Sequence, residues 1–273
     1  MTFIVKIGLS TGVDIDPTWL RLDDPVAGLL DSHVLAPDDV LTDVSTDSNG
    51  MQRVMSLSVD RSSTQGAGAL VEYAAGTLSM TLRDDAGDLD PVTLGEPIPG
   101  IPITVAKVWD GDVYPLFTGT IDSWEPEHRY PDQAVILVTA TDNLGKVGGY
   151  NSGEQTPSGA GQLAGARIDA LLDLIGWPDG QRDIDAGTVT LAATTFEGNV
   201  LDSARTVTQA EVGQLWAKAN GDIRFADRYS LYLDGGTVMG TFGSGAGELP
   251  WVGTLGISYT KQGLINLVRA VRD

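Results

Sequence analysis

The chain has 273 residues, an apolar share of 42%, 34 glycines, and 17 Lys and Arg against 37 Asp and Glu, for a formal charge of −20 at pH 7. That length suits one large domain or two modest ones with a proper core, and so acidic a balance disfavours nucleic acid as a bound ligand, because phosphate contacts need cations. There is no cysteine, which excludes disulfides, thiolate zinc sites and cysteine nucleophiles and leaves the redox compartment open.

The acid is uneven: residues 1–150 carry 8 Lys and Arg against 23 Asp and Glu, the rest 9 against 14. The first ten residues are too alternating for a signal-peptide core. No apolar run approaches the roughly 20 residues of a membrane span, so a chain soluble when made is expected. Residues 3–9 alternate Phe3, Val5, Ile7 and Leu9 with Ile4, Lys6 and Gly8, which predicts a first strand. The acidic stretch 10–50, punctuated by Pro17, Pro25 and Pro37, reads as loops with short strands near 19–22 and 40–45. A strand at 54–61 sets Val54, Ser56, Ser58 and Asp60 opposite Met55, Leu57, Val59 and Arg61, and 65–69 is a Gly-rich link.

Residues 77–83 place Leu78, Met80 and Leu82 on one face, a half-buried antiparallel strand. Pro97, Pro99 and Pro102 with Gly95 and Gly100 stop a helix from continuing it. Strands at 103–109, 114–124 and 134–141 complete a meander, with Asp110-Gly111-Asp112 as a hairpin. Residues 158–176 carry Ala164, Ile168, Leu171, Leu172 and Ile175 on one helical face, ending at Gly176 and Pro178. A second helix spans 199–213 with Asn199 as its cap. Strands at 215–219 and 223–226 flank Asn220-Gly221, and more follow at 230–233, 238–242, 255–259 and 264–272.

No constellation of these residues carries chemistry. His33 and His128 each lack a partner at ligand spacing, and His128, in the charged loop 125–129, reads as solvated. The cluster Asp84, Asp85, Asp88 and Asp90 invites calcium but lacks the spacing and closing Glu of an EF-hand. It reads better as a turn in which Gly87 takes a positive φ and Asp side chains bond turn amides. There is no Gly-x-Ser-x-Gly elbow and no phosphate-cradling loop. Asp142 with Glu125 or Asp122 is a nominal glycosidase pair whose separation the sequence does not fix. Trp19, Trp109, Trp124, Trp177, Trp216 and Trp251 suit core or interface packing better than sugar stacking. No catalytic residue, cofactor or metal is expected.

Several short motifs recur in order: Gly76 to Pro91 (Gly-Thr-Leu-x-x-x-Leu-Arg-Asp-x-x-Gly-x-Leu-Asp-Pro), Gly100 to Val105, Phe117 to Ile121, Thr139 to Asp142, Gly213 to Trp216, Gly221 to Arg228 and Asn266 to Val268. In this order they resemble the tail-tip (baseplate hub, minor tail) proteins of long-tailed bacteriophages, over roughly 50–150 and 160–273 and not over 10–50. The resemblance implies a mainly β chain with an α/β insert. An antiparallel barrel related to the phage tail-tube fold (1–150, with the acidic segment 10–50) is interrupted by a small helical insert (151–212). Residues 213–273 return to the barrel, and the strand at 264–272 starts a second one. Whether the natural protein continues past Asp273 stays open.

The resemblance further implies a non-enzymatic structural protein of the virion tail tip, made in the host bacterial cytoplasm. Its partners would be copies of itself in a ring, a trimer first, with a distal tail protein, a tape-measure protein and a central fibre or other minor tail proteins. DNA would pass without specific binding, and no membrane anchor is implied. Asp84, Asp85, Asp88, Asp90, Asp110 and Asp112 would be acidic lumen or turn residues. Solubility alone, or a high-salt source, accounts for the charge equally. The rival readings are a receptor- or carbohydrate-binding β module acting as a distal-tail adaptor, and, more remotely, a cell-wall hydrolase.

Overall fold

A computed structural model describes residues 2–8, 41–65, 71–94, 99–129, 133–153, 160–230, 241 and 245. The chain forms two compact units, Met1–Tyr232 and Leu233–Asp273, and nearly all described residues belong to the first. The strands expected at 19–22, 255–259 and 264–272, and nearly all of those at 230–233 and 238–242, lie outside the described residues. So do His33, Trp19, Trp251 and residues 66–69 of the link.

Seven antiparallel strands make the main sheet, in the order β2-β1-β7-β8-β9-β6-β3. They are β1 (Thr2–Ile7), β2 (Thr42–Asp43), β3 (Val54–Asp60), β6 (Thr77–Arg83), β7 (Pro102–Trp109), β8 (Asp112–Arg129) and β9 (Gln133–Asp142), with the small hairpin β4 (Ser63–Gln65) and β5 (Val71–Tyr73) between β3 and β6. The alternation read for 77–83 holds: Leu78, Met80 and Leu82 are buried. A single core gathers them with Val5 and Ile7 of β1, Ile103 and Val105 of β7, Phe117, Ile121 and Trp124 of β8, and Ile136 and Val138 of β9. Both ends of the sheet thus contribute to one interior, which requires the sheet to curl.

The two edges also meet. Beyond β2, the Val44 N–H bonds the Val5 carbonyl, and the Arg53 N–H bonds the Ser45 carbonyl at 2.8 Å. A bridge pairs Thr46 with Gln52, and the Arg83 N–H bonds the Arg53 carbonyl at 2.7 Å. The Gln52 amide reinforces this seam by bonding both Phe3 backbone groups (3.3 and 3.0 Å) and the Ser45 carbonyl (3.1 Å). These contacts join the two edges at residues 44–46 and 52–53, while β3 itself pairs only with β6.

Several expectations need correction. β6 does not neighbour β7; it lies on the far side of β9, so these four strands form a Greek key and not a plain meander. A one-turn helix, α1 (Pro91–Leu94), does follow β6, because proline is tolerated in a first helical turn. In β3 a register shift between Val54 and Ser56 inserts Met55. The extra residue switches the parity, so Val54 packs on the core with Leu57 and Val59 while Met55 is exposed. A similar shift between Ile121 and Ser123 turns both Ile121 and Trp124 inward. Residues 125–129 are not a loop: β8 runs on to Arg129, and His128 pairs with Ala134 and is exposed.

A second core joins α2 (Asn143–Gly148), α3 (Ala164–Leu174) and α4 (Val200–Glu211) with a three-stranded sheet. That sheet has the order β11-β14-β13, built from β11 (Arg182–Ile184), β13 (Gln214–Ala217) and β14 (Ile223–Ala226), with β11 parallel to β14. The short strands β10 (Gln162–Leu163) and β12 (Thr190–Leu191) pair beside it. Residues 214–226, expected to lead back to the barrel, therefore pair with β11 and not with the seven-stranded sheet. The helix read from 158 begins only at Ala164, because Gln162 and Leu163 are taken up by β10. Its buried face holds Ala164, Ile168, Leu171 and Leu172 as expected, and Gly176 beyond it has φ 64°. Asn199 caps α4, its side chain accepting from the Leu201 and Asp202 amides.

Candidate functional site

The ordered motifs converge on one joint between the two cores. Asp142 ends β9, and its carboxylate caps α2 by accepting from the Leu144 and Gly145 amides at 3.0 and 3.2 Å. Its own N–H bonds the Gly76 carbonyl at 2.9 Å, and it pairs with Gly119 across the β8–β9 ladder. Gly119 is required there, since a Cβ would strike the Thr141 carbonyl oxygen. From the second core, the β13–β14 hairpin docks on the same place. Its tight turn bonds the Gly221 N–H to the Lys218 carbonyl at 3.0 Å, and Gly221 has φ 96°. Asn143 donates to the Gly221 carbonyl at 2.6 Å, and the Thr118 hydroxyl donates to the Ala219 carbonyl at 3.0 Å. A Cβ on Gly221 would lie 2.7 Å from Thr118. Asp142 is buried, which pushes its carboxyl above the usual range despite the Gly76, Gly145 and Leu144 amides and the nearby Arg61. This geometry is that of a helix cap.

The acidic cluster is divided between burial and surface. Asp84 is 3% exposed and pairs with Arg53 at 3.1 Å, while Asp88 pairs with the same guanidinium at 2.6 Å. Asp84 also accepts from the Leu89 amide at 3.2 Å, and Gly87 takes φ 69°. Burial, and then the hydrogen-bonded Asp88, push the Asp84 carboxyl up to about 6 against the pull of Arg53. Arg53 holds Asp88 below the usual carboxylate range. Asp85 lies 3.8 Å from Arg83, and Asp90 caps the Val92 amide at 2.8 Å. Asp110 and Asp112 sit apart from these, both exposed, at the β7–β8 turn, where Asp110 has φ 50° and Gly111 φ 89°.

That turn carries an apolar patch the sequence reading missed. On one face of the hairpin Trp109 is 59% exposed and Tyr114 48%, with the Lys107 ammonium 4.9 Å from the Trp109 ring centroid, whereas Val113, 57% exposed, pairs with Val108 on the other face. Their place beside the Asp110-Gly111 turn is the one signal that pointed there. Trp124 and Trp177 are buried, and Trp216 packs on Tyr73 at 5.4 Å between centroids.

In the second core Glu211 is fully buried. Burial alone would raise its pKa. The Val189 and Thr188 amides (2.8 and 3.0 Å), the Thr188 hydroxyl (2.9 Å) and Arg228 (3.1 Å) outweigh that and hold it below the usual range. A cavity of about 230 Å³ lies between β5, α4 and β13, and one of about 430 Å³ beside Arg167 and Phe196. Among the described residues, no three His, Asp or Glu side chains are grouped to hold a metal ion. No helix among them is long and apolar enough to cross a membrane.

No protein-family model matches this chain, and no curated protein matches it. Solved structures do. The 43 kDa tail protein of prophage MuSo2 from Shewanella oneidensis matches at 14% identity and a TM-score of 0.39, over 62% of this chain and 53% of its own. The E. coli c3393 protein, a type VI secretion component with structural similarity to the T4 bacteriophage tail proteins gp27 and gp5, matches at 13% and 0.43, over 62% and 45%. A tail protein from Neisseria meningitidis MC58 matches at 11% and 0.46, over 84% and 52%. The chain spans about half the length of these proteins.

Proposed function

We propose that this chain is a structural protein of a phage tail tip, a hub whose copies form a ring linking the tube and tape measure to host-facing fibres. The observation that carries the reading is the joint. The motif residues Gly76, Gly119, Asp142 and Gly221 meet there and lock the barrel to the insert, a use that serves shape and not turnover. The exposed Trp109 and Tyr114, on one face of the β7–β8 hairpin, supply an apolar contact for a neighbouring copy, and cyclic symmetry closes such contacts into a ring, a trimer first. Asp110 and Asp112 are exposed carboxylates suited to a bore that repels passing DNA, whereas Asp84, buried against Arg53, serves the turn. The distal tail protein, tape-measure protein and fibre are proposed partners on the same footing. Imaging of assembled tails tests this: density for the chain around the tail axis is expected, and its absence from the tail would end the proposal.

The exposed Trp109 and Tyr114 also favour a second reading, a glycan- or receptor-binding β module. Calorimetry with host surface glycans separates the two, since the hub reading expects no heat of binding. The proposed role is non-enzymatic; clearing of host peptidoglycan in a zymogram would overturn that.

A further inference from the structure

Beyond the last buried row of the barrel, Val5–Val105–Phe117, strands β1, β7 and β8 run on together toward the β7–β8 turn. β9 does not accompany them, since it pairs with β8 only from Gly119 onward. A register shift between Val105 and Ala106 takes Leu116 out of the ladder, and past it the side chains fall into two sets, one on each face. One face continues the core side, with Phe3, Lys107 and Tyr114 in one row and Trp109 and Asp112 in the next. The opposite face carries Ile4, Ala106 and Pro115, then Thr2, Val108 and Val113. Trp109, Val113, Tyr114 and Pro115 are exposed, and Phe3, Ile4, Ala106, Lys107 and Val108 are half-buried. A sheet that meets water on one side alternates apolar with polar, whereas one covered on both sides is apolar throughout. This ribbon has the second pattern, yet both of its faces reach solvent.

The two faces differ in charge. Lys107 lies at the centre of the aromatic face, its ammonium 4.9 Å from the Trp109 ring centroid, and Asp112 stands beside the turn. The aliphatic rows hold no charged residue. Two aromatic faces brought together about a two-fold axis would set one Lys107 against another, and would leave both aliphatic faces in water. An aromatic face laid on an aliphatic one meets no like charge, lets the Lys107 stem lie flat with its ammonium at the rim, and covers both patches with one kind of contact. We infer, resting on the ring of copies proposed above, that this ribbon is the head-to-tail contact of that ring: the aromatic face of one copy packs on the aliphatic face of the next. A contact between two different patches is the kind that closes identical chains into rings, and radially set sheets stacked face to face close in this way. A lipid surface is the poorer occupant, because the exposed carboxylates of Asp110 and Asp112 at the turn would enter it first.

Two single variants, Val113→Asp on the aliphatic face and Tyr114→Asp on the aromatic face, test this by sedimentation of the whole chain. Each places a carboxylate in the contact at an exposed position, so the melting of the single chain should hardly change in either. Alone, each should associate on the order of a hundredfold more weakly than the native chain, because the contact would bury an unpaired charge. Mixed in equal amounts they should form a one-to-one pair, since the intact aromatic face of Val113→Asp meets the intact aliphatic face of Tyr114→Asp. That rescue separates the contact from the general repulsion an added negative charge brings. A Val113→Asp chain that associates as the native chain does overturns the head-to-tail contact and leaves the ring standing. A mixture no larger than its two components also overturns the contact. A native chain that stays single at every concentration removes the ring, and this contact with it.

Discussion

Asp142 shows how one side chain can fix the relation of two cores. It caps α2, holds the Gly76 strand end through its backbone, and sits where Gly119 lets two strands close up. Asp142→Ala should cost about 1–2 kcal/mol in chemical denaturation, the range of a lost N-cap. Asp142→Asn should cost less, because Asn caps as well and carries no buried charge. Gly119→Ala, which forces a methyl group against backbone, should cost roughly 3 kcal/mol. Glu211 gives the pH counterpart. Its carboxyl is held below the usual range, so its contribution is present above the unfolded value and lost as pH falls through the folded one. Acid unfolding followed by tryptophan fluorescence should therefore begin at higher pH in Glu211→Gln than in the native chain.

At the scale of elements, the longer strands were legible, while the short β4, β5, β10, β11 and β12 and the behaviour of every strand were not. The alternation at 77–83 and the caps at Asn199 and Gly176 act locally, and local chemistry is what a sequence displays. The bulges that turn Met55 out and Trp124 in depend on a partner strand's register, which no window of sequence contains. The neighbour of β6 is likewise a long-range choice. The pairing of Arg53 has no local signal, because its carboxylates lie 31 and 35 residues on. Asp142 was weighed for catalysis, although an Asp followed by Asn-Leu after a strand carries a readable cap signal. The β7–β8 hairpin yields the prediction for this scale. Trp109→Ala with Tyr114→Ala should leave the melting of the isolated chain within about 0.5 kcal/mol of native, and should abolish self-association in sedimentation.

For the whole molecule, charge and assembly pull in opposite directions. A chain of −20 repels its own copies, so the proposed ring would have to rely on apolar contact and on carboxylates kept toward solvent or a bore. Self-association should accordingly strengthen as salt rises through the physiological range, where the Debye length falls to about 8 Å; weakening with salt would point to a basic partner instead. The native mass of the intact chain, measured across concentration, tests the central claim most directly. A discrete closed oligomer of three copies is expected, and a species that remains a single chain at every concentration would contradict it.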